Sequence, residues 1–488
     1  MSGAVLVLPV ALPLLAAGLL SLLTGRRLRL LLGTAVNAGV LLVGGLLLKE
    51  GLDGRIPTAS IGGWPAGLAI VLAADPFSAL LVCVSAVLVL ASLCFAAVCG
   101  EDGDPRFTSL VLVLAAGVYG ALLTADLFNF FVFVEVMLVP SYVLLVVGSG
   151  RDPAAGRVYV TVGLLASTVF LAGVALVYGV AGTVNLGELA GAAERGPAFA
   201  LAGALVLLGM AVKAAVVPFH GWLPRTYPQA SASVTVLFAG LLTKVGVYAI
   251  IRVYAVFFAG MQQFRWVLMA AALATMVVGV LGAVGERTMR GVLSFDLVSQ
   301  VGYILFGLAL FTGLGLTAAV FFMVQYVLVK TVLFMCAGTV ENLYGSDRLD
   351  GTGGLLRHEP LLASVFLVAF LSLAGIPPLA GFVGKLGLLQ AAVAEEKYWP
   401  AAVALATSLL TLVAMLKVWS RVFWGRPSSS VTALAGVARA RSALLAPALV
   451  LVVPSVAFGL GAEPLWRVAE SAAGGLADVS AYVRAVTR

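Results

Sequence analysis

Residues 375–385 read GIPPLAGFVGK, and this stretch interrupts an apolar run that is long enough to cross a membrane. A proline inside a helix removes one backbone hydrogen bond and frees a carbonyl, here at Pro377 and Pro378. In hydrocarbon such a carbonyl is tolerated only where protein or a watered cavity satisfies it. The stretch therefore predicts a discontinuous membrane helix with Lys385 close to the break.

A second apolar run is interrupted in the same way. Residues 213–220 read KAAVVPFH, which places Pro218 between Lys213 and His220. Discontinuous helices at corresponding positions of two halves are typical of transporters built from inverted repeats. The breaks fall in predicted spans seven and twelve, the fourth members of two five-span units. An odd number of spans inverts the second unit, so we predict two inverted five-helix repeats.

Composition places the whole chain in one class. It is 62% hydrophobic and 10% charged, with a mean hydropathy of +1.12, and apolar runs recur from end to end. This predicts an all-α polytopic membrane protein with about 14 transmembrane helices. The predicted spans are 4–24, 30–48, 74–99, 107–124, 127–148, 158–181, 199–220, 231–256, 266–285, 292–312, 315–343, 360–391, 399–424 and 442–461. The tail after residue 462 is predicted to be an amphipathic interfacial segment.

These spans group into a single membrane domain, residues 1–488. Its predicted parts are an N-terminal three-helix segment (1–100), a first five-helix repeat (105–260), a second five-helix repeat (265–426) and a last helix with the amphipathic tail (440–488). Lysine and arginine are more numerous in the connections on one side. This bias predicts that both termini face the outside.

Several function classes are excluded by composition. Four cysteines without a Cys-x-x-Cys pair, and two histidines, are too few for an iron–sulfur cluster, a zinc site or a bis-histidine haem. We therefore predict no cofactor and no metal site. The excess of basic residues forms no stripe with interleaved aromatics, so nucleic acid is not an expected partner. No catalytic constellation is apparent, which favours a transporter over an enzyme.

Lysine carries the functional signal. Five of the seven lysines lie inside predicted spans: Lys213, Lys244, Lys330, Lys385 and Lys417. Each costs roughly 2.5–3.5 kcal/mol near the bilayer centre on insertion scales. A lysine can lose its proton when desolvated, whereas arginine cannot. The pattern therefore predicts a path that handles protons.

A glutamate accompanies the first of these lysines. Glu135 lies in the middle of residues 129–140, NFFVFVEVMLVP, within an apolar span. A lysine nearby, such as Lys213, would keep this carboxylate charged, and neutralising either group would weaken the pair. Two interpretations stay open: a switch that opens and closes with proton exchange, or a static buried ion pair that fixes helix packing.

The remaining lysines lie on separate helices, as a lateral proton wire requires. Gln325 and Tyr326 precede Lys330 by about one turn. The alternative for any single lysine is snorkelling to the interface, which we favour for Lys417 beside Trp419.

Other polar groups have two interpretations each. Asp296 and Gln300 fall in the first turns of span ten, as helix caps or as groups at the mouth of the path. His220 is either a proton relay or a hydrogen-bonded interfacial histidine. We expect Asp75 and Asp126 to cap the helices that they precede.

Three stretches together show a family resemblance: residues 128–144 (FNFFVFVEVMLVPSYVL), 213–252 (KAAVVPFHGWLPRTYPQASASVTVLFAGLLTKVGVYAIIR) and 372–390 (SLAGIPPLAGFVGKLGLLQ). The chain resembles the antiporter-like membrane subunits shared by Mrp-type multisubunit cation/proton antiporters and respiratory complex I. Within that family it is most similar to the D subunits of the Mrp antiporters. The resemblance covers nearly the whole chain.

The resemblance implies roles for individual residues. The family's ion path has a glutamate in span five, a lysine in span seven and another in span eight, a lysine or histidine in span eleven, and a lysine or glutamate in span twelve. These fall on Glu135, Lys213, Lys244, Lys330 and Lys385. Several relatives have a histidine before the lysine of span eleven, where this chain has Gln325. Glutamine does not titrate, so water or Tyr326 would have to bridge that step.

The resemblance implies a proton-translocating subunit that exports Na⁺, or another monovalent cation such as K⁺ or Li⁺, in exchange for H⁺. Its expected partners are other membrane subunits of a hetero-oligomeric complex in the plasma membrane of a prokaryote. One alternative is a proton-pumping subunit of a complex I-like NADH:quinone oxidoreductase. Another is an assembly scaffold whose charges only specify helix packing.

Overall fold

The computed structural model describes residues 3–23, 25–64, 69–147, 153–258, 260–425 and 441–488. The predicted boundaries at 1, 24, 148, 426 and 440 lie outside these residues. The helices are α1 (Ala4–Leu20), α2 (Arg26–Leu52), α3 (Pro76–Cys99), α4 (Phe107–Leu123), α5 (Leu127–Val147), α6 (Pro153–Ala181), α7 (Pro197–Lys213), α8 (Trp222–Thr226), α9 (Ala232–Phe258), α10 (Gln262–Gly285), α11 (Met289–Leu310), α12 (Gly313–Tyr344), α13 (Leu355–His358), α14 (Pro360–Ala374), α15 (Ala380–Ala394), α16 (Tyr398–Val418), α17 (Arg441–Leu460), α18 (Glu463–Ala477) and α19 (Ser480–Val486).

Ten helices in the described part of the chain are long and apolar enough to cross a membrane: α2, α3, α5, α6, α9, α10, α11, α12, α16 and α17. Five further apolar helices are shorter: α1, α4, α7, α14 and α15. The prediction of a polytopic, mostly helical membrane protein is confirmed.

A short hairpin departs from the all-helical prediction. Strand β1 (Thr58–Ser60) pairs antiparallel with β2 (Val71–Ala73) in the connection between α2 and α3. Backbone groups of a connection lack helical partners and must find others, which here they find in each other. The backbone N–H of Ala125 also donates to the carbonyl of Val71 (2.8 Å), so the hairpin is tied to the start of α5.

Acidic side chains cap the N-termini of two helices. Asp75 accepts a hydrogen bond from the backbone N–H of Ser78 (2.9 Å), and Asp126 accepts one from that of Asn129 (2.7 Å). Each bond satisfies a donor of the first helical turn. The predicted caps at Asp75 and Asp126 are therefore confirmed.

Two chain segments leave helical geometry beside a lysine. Helix α7 ends at Lys213, and Pro218 lies in the non-helical stretch before α8. Helix α14 ends at Ala374 and α15 begins at Ala380, with Pro377 and Pro378 between them. The predicted span 199–220 is thus helical only to Lys213, and the predicted span 360–391 is two helices.

The second break requires glycine at one position. A Cβ atom on Gly381 would lie 1.7 Å from the carbonyl oxygen of Ser372, which is closer than any non-bonded contact. The missing side chain lets the start of α15 pass close to the end of α14. The two half-helices are therefore held in direct backbone contact.

Helices α9, α11 and α12 form the centre of the molecule. Nearly all of their residues are buried. Helix α12 packs against α9, α11, α15 and α17, and also against α18, whose buried face includes Leu465, Ala469 and Leu476. Polar groups on these central helices are therefore surrounded by protein rather than by lipid.

Candidate functional site

Four of the predicted path lysines are buried. Lys213 ends α7, Lys244 lies in α9, Lys330 in α12 and Lys385 in α15, and none is more than 9% exposed. A buried ammonium is costly unless it is hydrogen-bonded or paired. The contacts of each lysine therefore show how its charge is held.

The first cluster joins three helices. The Lys213 Nζ lies 4.0 Å from Glu135 Oε1, and it donates to Ser167 Oγ (2.8 Å) and to the carbonyl oxygen of Gly163 (3.4 Å). The Ser167 hydroxyl in turn contacts Glu135 Oε1. The structure thus brings the predicted pair together through a serine that the sequence reasoning missed. A hydroxyl in the apolar run of α6 was the available signal.

A small cavity adjoins Lys213. Its volume is about 30 Å³, and its lining includes Tyr159, Trp222, Leu242 and Val245. That is room for about one or two water molecules. The cavity extends from Lys213 to α9, the helix that carries Lys244.

Lys244 contacts no carboxylate within the described residues. Its Nζ donates to the carbonyl of Ala239 and lies 4.7 Å from the centre of the Tyr326 ring. The negative face of an aromatic ring attracts a cation. Tyr326 lies one turn before Lys330, so its ring joins Lys244 to α12, the helix that carries Lys330.

The central pair is Lys330 with Asp296. Their Nζ and Oδ2 atoms are 2.5 Å apart, and both side chains are 0% exposed. Gln300 Nε2 donates to the other carboxylate oxygen (2.9 Å). Helix α11 begins at Met289, after the cap Thr288, so the interpretation of Asp296 as a helix cap is wrong. Sequence reasoning missed this pair because Asp296 falls near the start of its predicted span and was interpreted as a cap or a group at the mouth of the path.

The predicted relays beside Lys330 differ in their bonding. The Tyr326 hydroxyl donates to the carbonyl of Leu297 (3.4 Å). The amide of Gln325 is fully buried and has no hydrogen-bond partner among the described residues. Buried polar groups are normally satisfied, often by water. Gln325 is therefore suited to hold a water molecule beside Lys330.

Lys385 lies at the double-proline break, as predicted. Its Nζ donates to Ser408 Oγ (3.0 Å) and to the carbonyl of Ala374 (3.3 Å), the last residue of α14. It lies 4.8 Å from the centre of the Tyr303 ring. The broken helix supplies a carbonyl acceptor, so Lys385 is held by neutral oxygens and a ring.

The remaining candidates lie apart from these clusters. Lys417 Nζ donates to the carbonyls of Val284 (2.7 Å) and Glu286 (2.6 Å) at the end of α10. It therefore caps α10 instead of only snorkelling. His220 is partly exposed in the turn after Pro218, and its Nδ1 has no partner among the described residues.

A further buried ion pair was missed from sequence. Arg252 Nη2 lies 2.7 Å from Asp75 Oδ1, and its guanidinium lies 4.7 Å from the centre of the Tyr482 ring in α19. The sequence analysis gave no partner to Arg252, which falls inside the predicted span 231–256, and interpreted Asp75 only as a cap. The structure buries both, and they join α3, α9 and the C-terminal tail.

Comparison with known proteins gives a consistent result. A family profile described as NADH:quinone oxidoreductase/Mrp antiporter, TM, matches residues 124–411. The chain is 36% identical to the D-type Na⁺/H⁺ antiporter subunit of Alkalihalophilus pseudofirmus, over 99% of each chain. One chain of the Mrp complex from Dietzia sp. is 43% identical, with a TM-score of 0.96 and full coverage of both chains. One chain of respiratory complex I from Thermus thermophilus is 25% identical, with a TM-score of 0.81, and 98% and 99% of the two chains are covered.

Proposed function

The chain belongs to the NADH:quinone oxidoreductase/Mrp antiporter family of membrane subunits, and on this premise we propose that it is the D-type, proton-translocating subunit of a multisubunit Na⁺/H⁺ antiporter. The observation that carries the proposal is the row of buried lysines with one carboxylate in each half, Glu135 beside Lys213 and Asp296 beside Lys330. The protein is accordingly a transporter subunit and not an enzyme.

The proposed architecture has fourteen spans and two inverted repeats. Counting α14 and α15 as two halves of one broken span gives fourteen from the ten long and five short apolar helices. The first repeat covers residues 105–260 and the second covers 265–426. Support comes from matched features: the second helix of each unit carries a carboxylate, Glu135 or Asp296, and the fourth is broken beside Lys213 or Lys385.

The proposed cycle begins at the first carboxylate. The Glu135–Lys213 pair closes or opens as Lys213 gains or loses its proton, because the attraction disappears when either group is neutral. Ser167 supports this step, because it contacts both side chains and can keep them close together while their charges change.

Charge then moves laterally. Lys244 and Lys330 pass the proton along the centre, and Lys385 exchanges it with the other side. Tyr326 lies beside Lys244, and the free amide of Gln325 offers a place for a bridging water. Asp296 and His220 are further possible relays. Each net charge that crosses 100 mV is worth about 2.3 kcal/mol, so the membrane potential drives export when more protons enter than cations leave.

The proposed setting is the plasma membrane of a prokaryote, with both termini outside. The partners are other membrane subunits of a hetero-oligomeric complex, and the exported ion is Na⁺, or K⁺ or Li⁺. The known assemblies to which the chain is similar include the Mrp complex from Dietzia sp., which supports a multisubunit setting.

The test uses everted membrane vesicles from an antiporter-deficient host that expresses this chain with its operon partners. A pH-sensitive dye reports how an established proton gradient responds to added Na⁺, K⁺ or Li⁺. We expect a cation-dependent collapse that Glu135→Gln and Lys385→Ala abolish at unchanged protein level. Lys397→Ala is the matched control, because Lys397 is exposed at the start of α16. Transport that survives Glu135→Gln contradicts the proposed cycle.

The alternative is a proton-pumping subunit of a redox-driven complex. The specific observation that favours it is the full-length similarity to a chain of complex I from Thermus thermophilus. Purification of the assembled complex distinguishes the two functions. Quinone reduction by the complex supports the redox pump, whereas cation-dependent proton movement without redox substrate supports the antiporter.

A further inference from the structure

Three buried amines share one carboxylate at the centre of the molecule. Lys244, Lys330 and Lys385 are 6%, 0% and 5% exposed. Within the described residues, Asp296 contacts Lys330, while Lys244 and Lys385 contact carbonyls, a hydroxyl and aromatic rings but no carboxylate. We refer to the three lysines as the central triad.

Charge balance limits how many protons the triad can hold. An ammonium without a counter-charge is expensive in a low-dielectric interior, and like charges in the same interior repel one another. Three protonated amines beside one carboxylate would leave an uncompensated charge of about +2. One protonated amine beside one carboxylate leaves the centre neutral. The arrangement therefore favours a single proton on the triad.

We infer that Asp296 is the counter-charge that confines one mobile proton to the central triad, with Lys330 as its resting place and Gln300 as a positioning residue. The inference rests on the proposed function and assigns the central carboxylate one role in it. Gln300 qualifies because its amide donates to Asp296 Oδ1 (2.9 Å) while Lys330 holds Oδ2.

The groups around Asp296 come from four helices. Lys330 contacts Asp296 from α12, and Tyr326 of the same helix bonds to the carbonyl of the adjacent Leu297. Gln300 and Tyr303 lie one and two turns further along α11, the helix of Asp296. The Lys244 amine of α9 lies 4.7 Å from the centre of the Tyr326 ring, and the Lys385 amine of α15 lies 4.8 Å from that of the Tyr303 ring. Asp296 is the one carboxylate in this set.

The first half of the chain supplies an internal comparison. Glu135 is followed seven residues later by Tyr142 in α5, and Asp296 is followed seven residues later by Tyr303 in α11. In the first half the carboxylate is associated with the lysine at the helix break, Lys213. In the second half it is associated with the lysine of the neighbouring helix instead, which leaves Lys385 without a counter-charge.

That difference gives proton movement within the central triad a direction. A proton on Lys330 is stabilised by a direct ion pair, whereas a proton on Lys385 has only neutral oxygens and a ring. A proton that reaches Lys385 is therefore held less tightly and is readily released. Lys330 stores the proton and Lys385 delivers it. The step moves one proton from amine to amine and changes no other bond.

The test is the pH dependence of Na⁺-driven proton flux in vesicles that contain the whole complex. Asp296→Asn keeps the side-chain volume and removes the charge. Lys330 would then stay protonated only at lower pH, so we expect the alkaline limb of the profile to move down by about one to three pH units. Asp296→Glu should restore much of the profile. Ser299→Ala is the matched control, a buried hydroxyl of the same helix that bonds to the carbonyl of Met276.

A double variant separates a mobile proton from a static ion pair. Asp296→Asn with Lys330→Met removes both charges and leaves the centre neutral. We expect this variant to assemble but to transport at most about a tenth as fast as the native complex. Native flux in the double variant, or an unshifted profile in Asp296→Asn, overturns the inference.

If Asp296→Asn does not assemble, Gln300→Leu decides, because it leaves the ion pair in place and removes only the bond that positions Asp296. A smaller shift in the same direction supports the inference, and an unchanged profile overturns it. The proposed function is tested separately by Glu135→Gln, which does not touch the triad. Loss of flux in that variant with an unshifted profile in Asp296→Asn therefore rejects this inference alone.

Discussion

The two carboxylate–lysine pairs of this chain contain the same types of charged group but differ in how tightly their members are held together. In the first half, Glu135 is 27% exposed, lies 4.0 Å from Lys213, and is joined to it through Ser167. In the second half, Asp296 and Lys330 are fully buried and 2.5 Å apart. A loose, bridged pair can separate at low cost, whereas a tight, desolvated pair resists separation. The comparison indicates that the first pair is suited to exchange and the second to storage.

This difference arises from the length of the carboxylate side chain and from which helix carries its lysine. Glutamate reaches from α5 toward Lys213 at the end of α7, where the helix break leaves space and a small cavity. Aspartate is shorter and meets Lys330 on α12, which is packed on every side. The same pair of charge types thus lies beside a small cavity in one half and in close packing in the other.

The largest expected effect is on the free energy of unfolding, and it distinguishes the two carboxylate–lysine pairs. Lys330→Met leaves Asp296 buried without its partner and should destabilise the protein by about 3–5 kcal/mol. Lys213→Met should cost only about 1 kcal/mol, because Glu135 keeps its contact with Ser167 and part of its exposure. Thermal unfolding of the two purified variants measures both values. Equal losses would show that the two pairs are equally buried in practice.

The helix breaks offer a second contrast. Gly381→Ala places a methyl group against the carbonyl of Ser372 and should cost about 2–3 kcal/mol through the forced shift of the backbone. Gly221→Ala, at the first break, meets no atom within 4 Å and should be nearly neutral. Thermal midpoints and the amount of assembled complex test the pair. A neutral Gly381→Ala would mean that the two half-helices are not in contact.

The serine bridge gives a third prediction, on transport. Ser167→Ala removes the hydroxyl that contacts both Glu135 and Lys213, and a hydrogen bond to a charged group is worth about 1.5–3 kcal/mol. We expect Na⁺-dependent flux to fall about tenfold. Thr168→Ala is the control, since that neighbouring hydroxyl is exposed and bonds only within its own helix. If both alanine variants transport equally, the bridge does not couple the pair.

The smallest effect concerns the tyrosines that follow each carboxylate. The Tyr303 hydroxyl donates to the carbonyl of Ala404 (2.6 Å), whereas that of Tyr142 has no partner among the described residues. Tyr303→Phe should therefore cost about 1 kcal/mol and Tyr142→Phe almost nothing. Because phenylalanine keeps the ring beside Lys385, flux should be preserved. A large loss of flux in Tyr303→Phe would assign its hydroxyl to the path.

Much of the fold and part of the site could be predicted from the sequence. Long apolar runs predicted membrane helices, because a helix satisfies the polar groups of its own backbone in hydrocarbon. The same argument located the breaks near Pro218, Pro377 and Pro378. The pairing of strands β1 and β2 was missed, since three-residue strands in a connection have no periodic signal.

The partners of the charges could be predicted only in part. Glu135 and Lys213 were expected to meet, but Ser167 was not noticed as their bridge. Asp296 was interpreted as a cap or a group at the mouth of the path, and its ion pair with Lys330 was not foreseen. A single sequence shows how polar a position is but not which distant position faces it.

The sequence by itself determined the membrane class, the placement of lysines inside spans and the two helix breaks, because each follows from local composition and backbone chemistry. Only the tertiary structure decided that Asp296 is associated with Lys330 and not with Lys385, that Lys417 caps α10, and that Arg252 is buried against Asp75. These outcomes depend on which helices pack together and in what register. Coulomb energy in a low dielectric depends steeply on distance, so angstrom-scale packing decides how each charge is held.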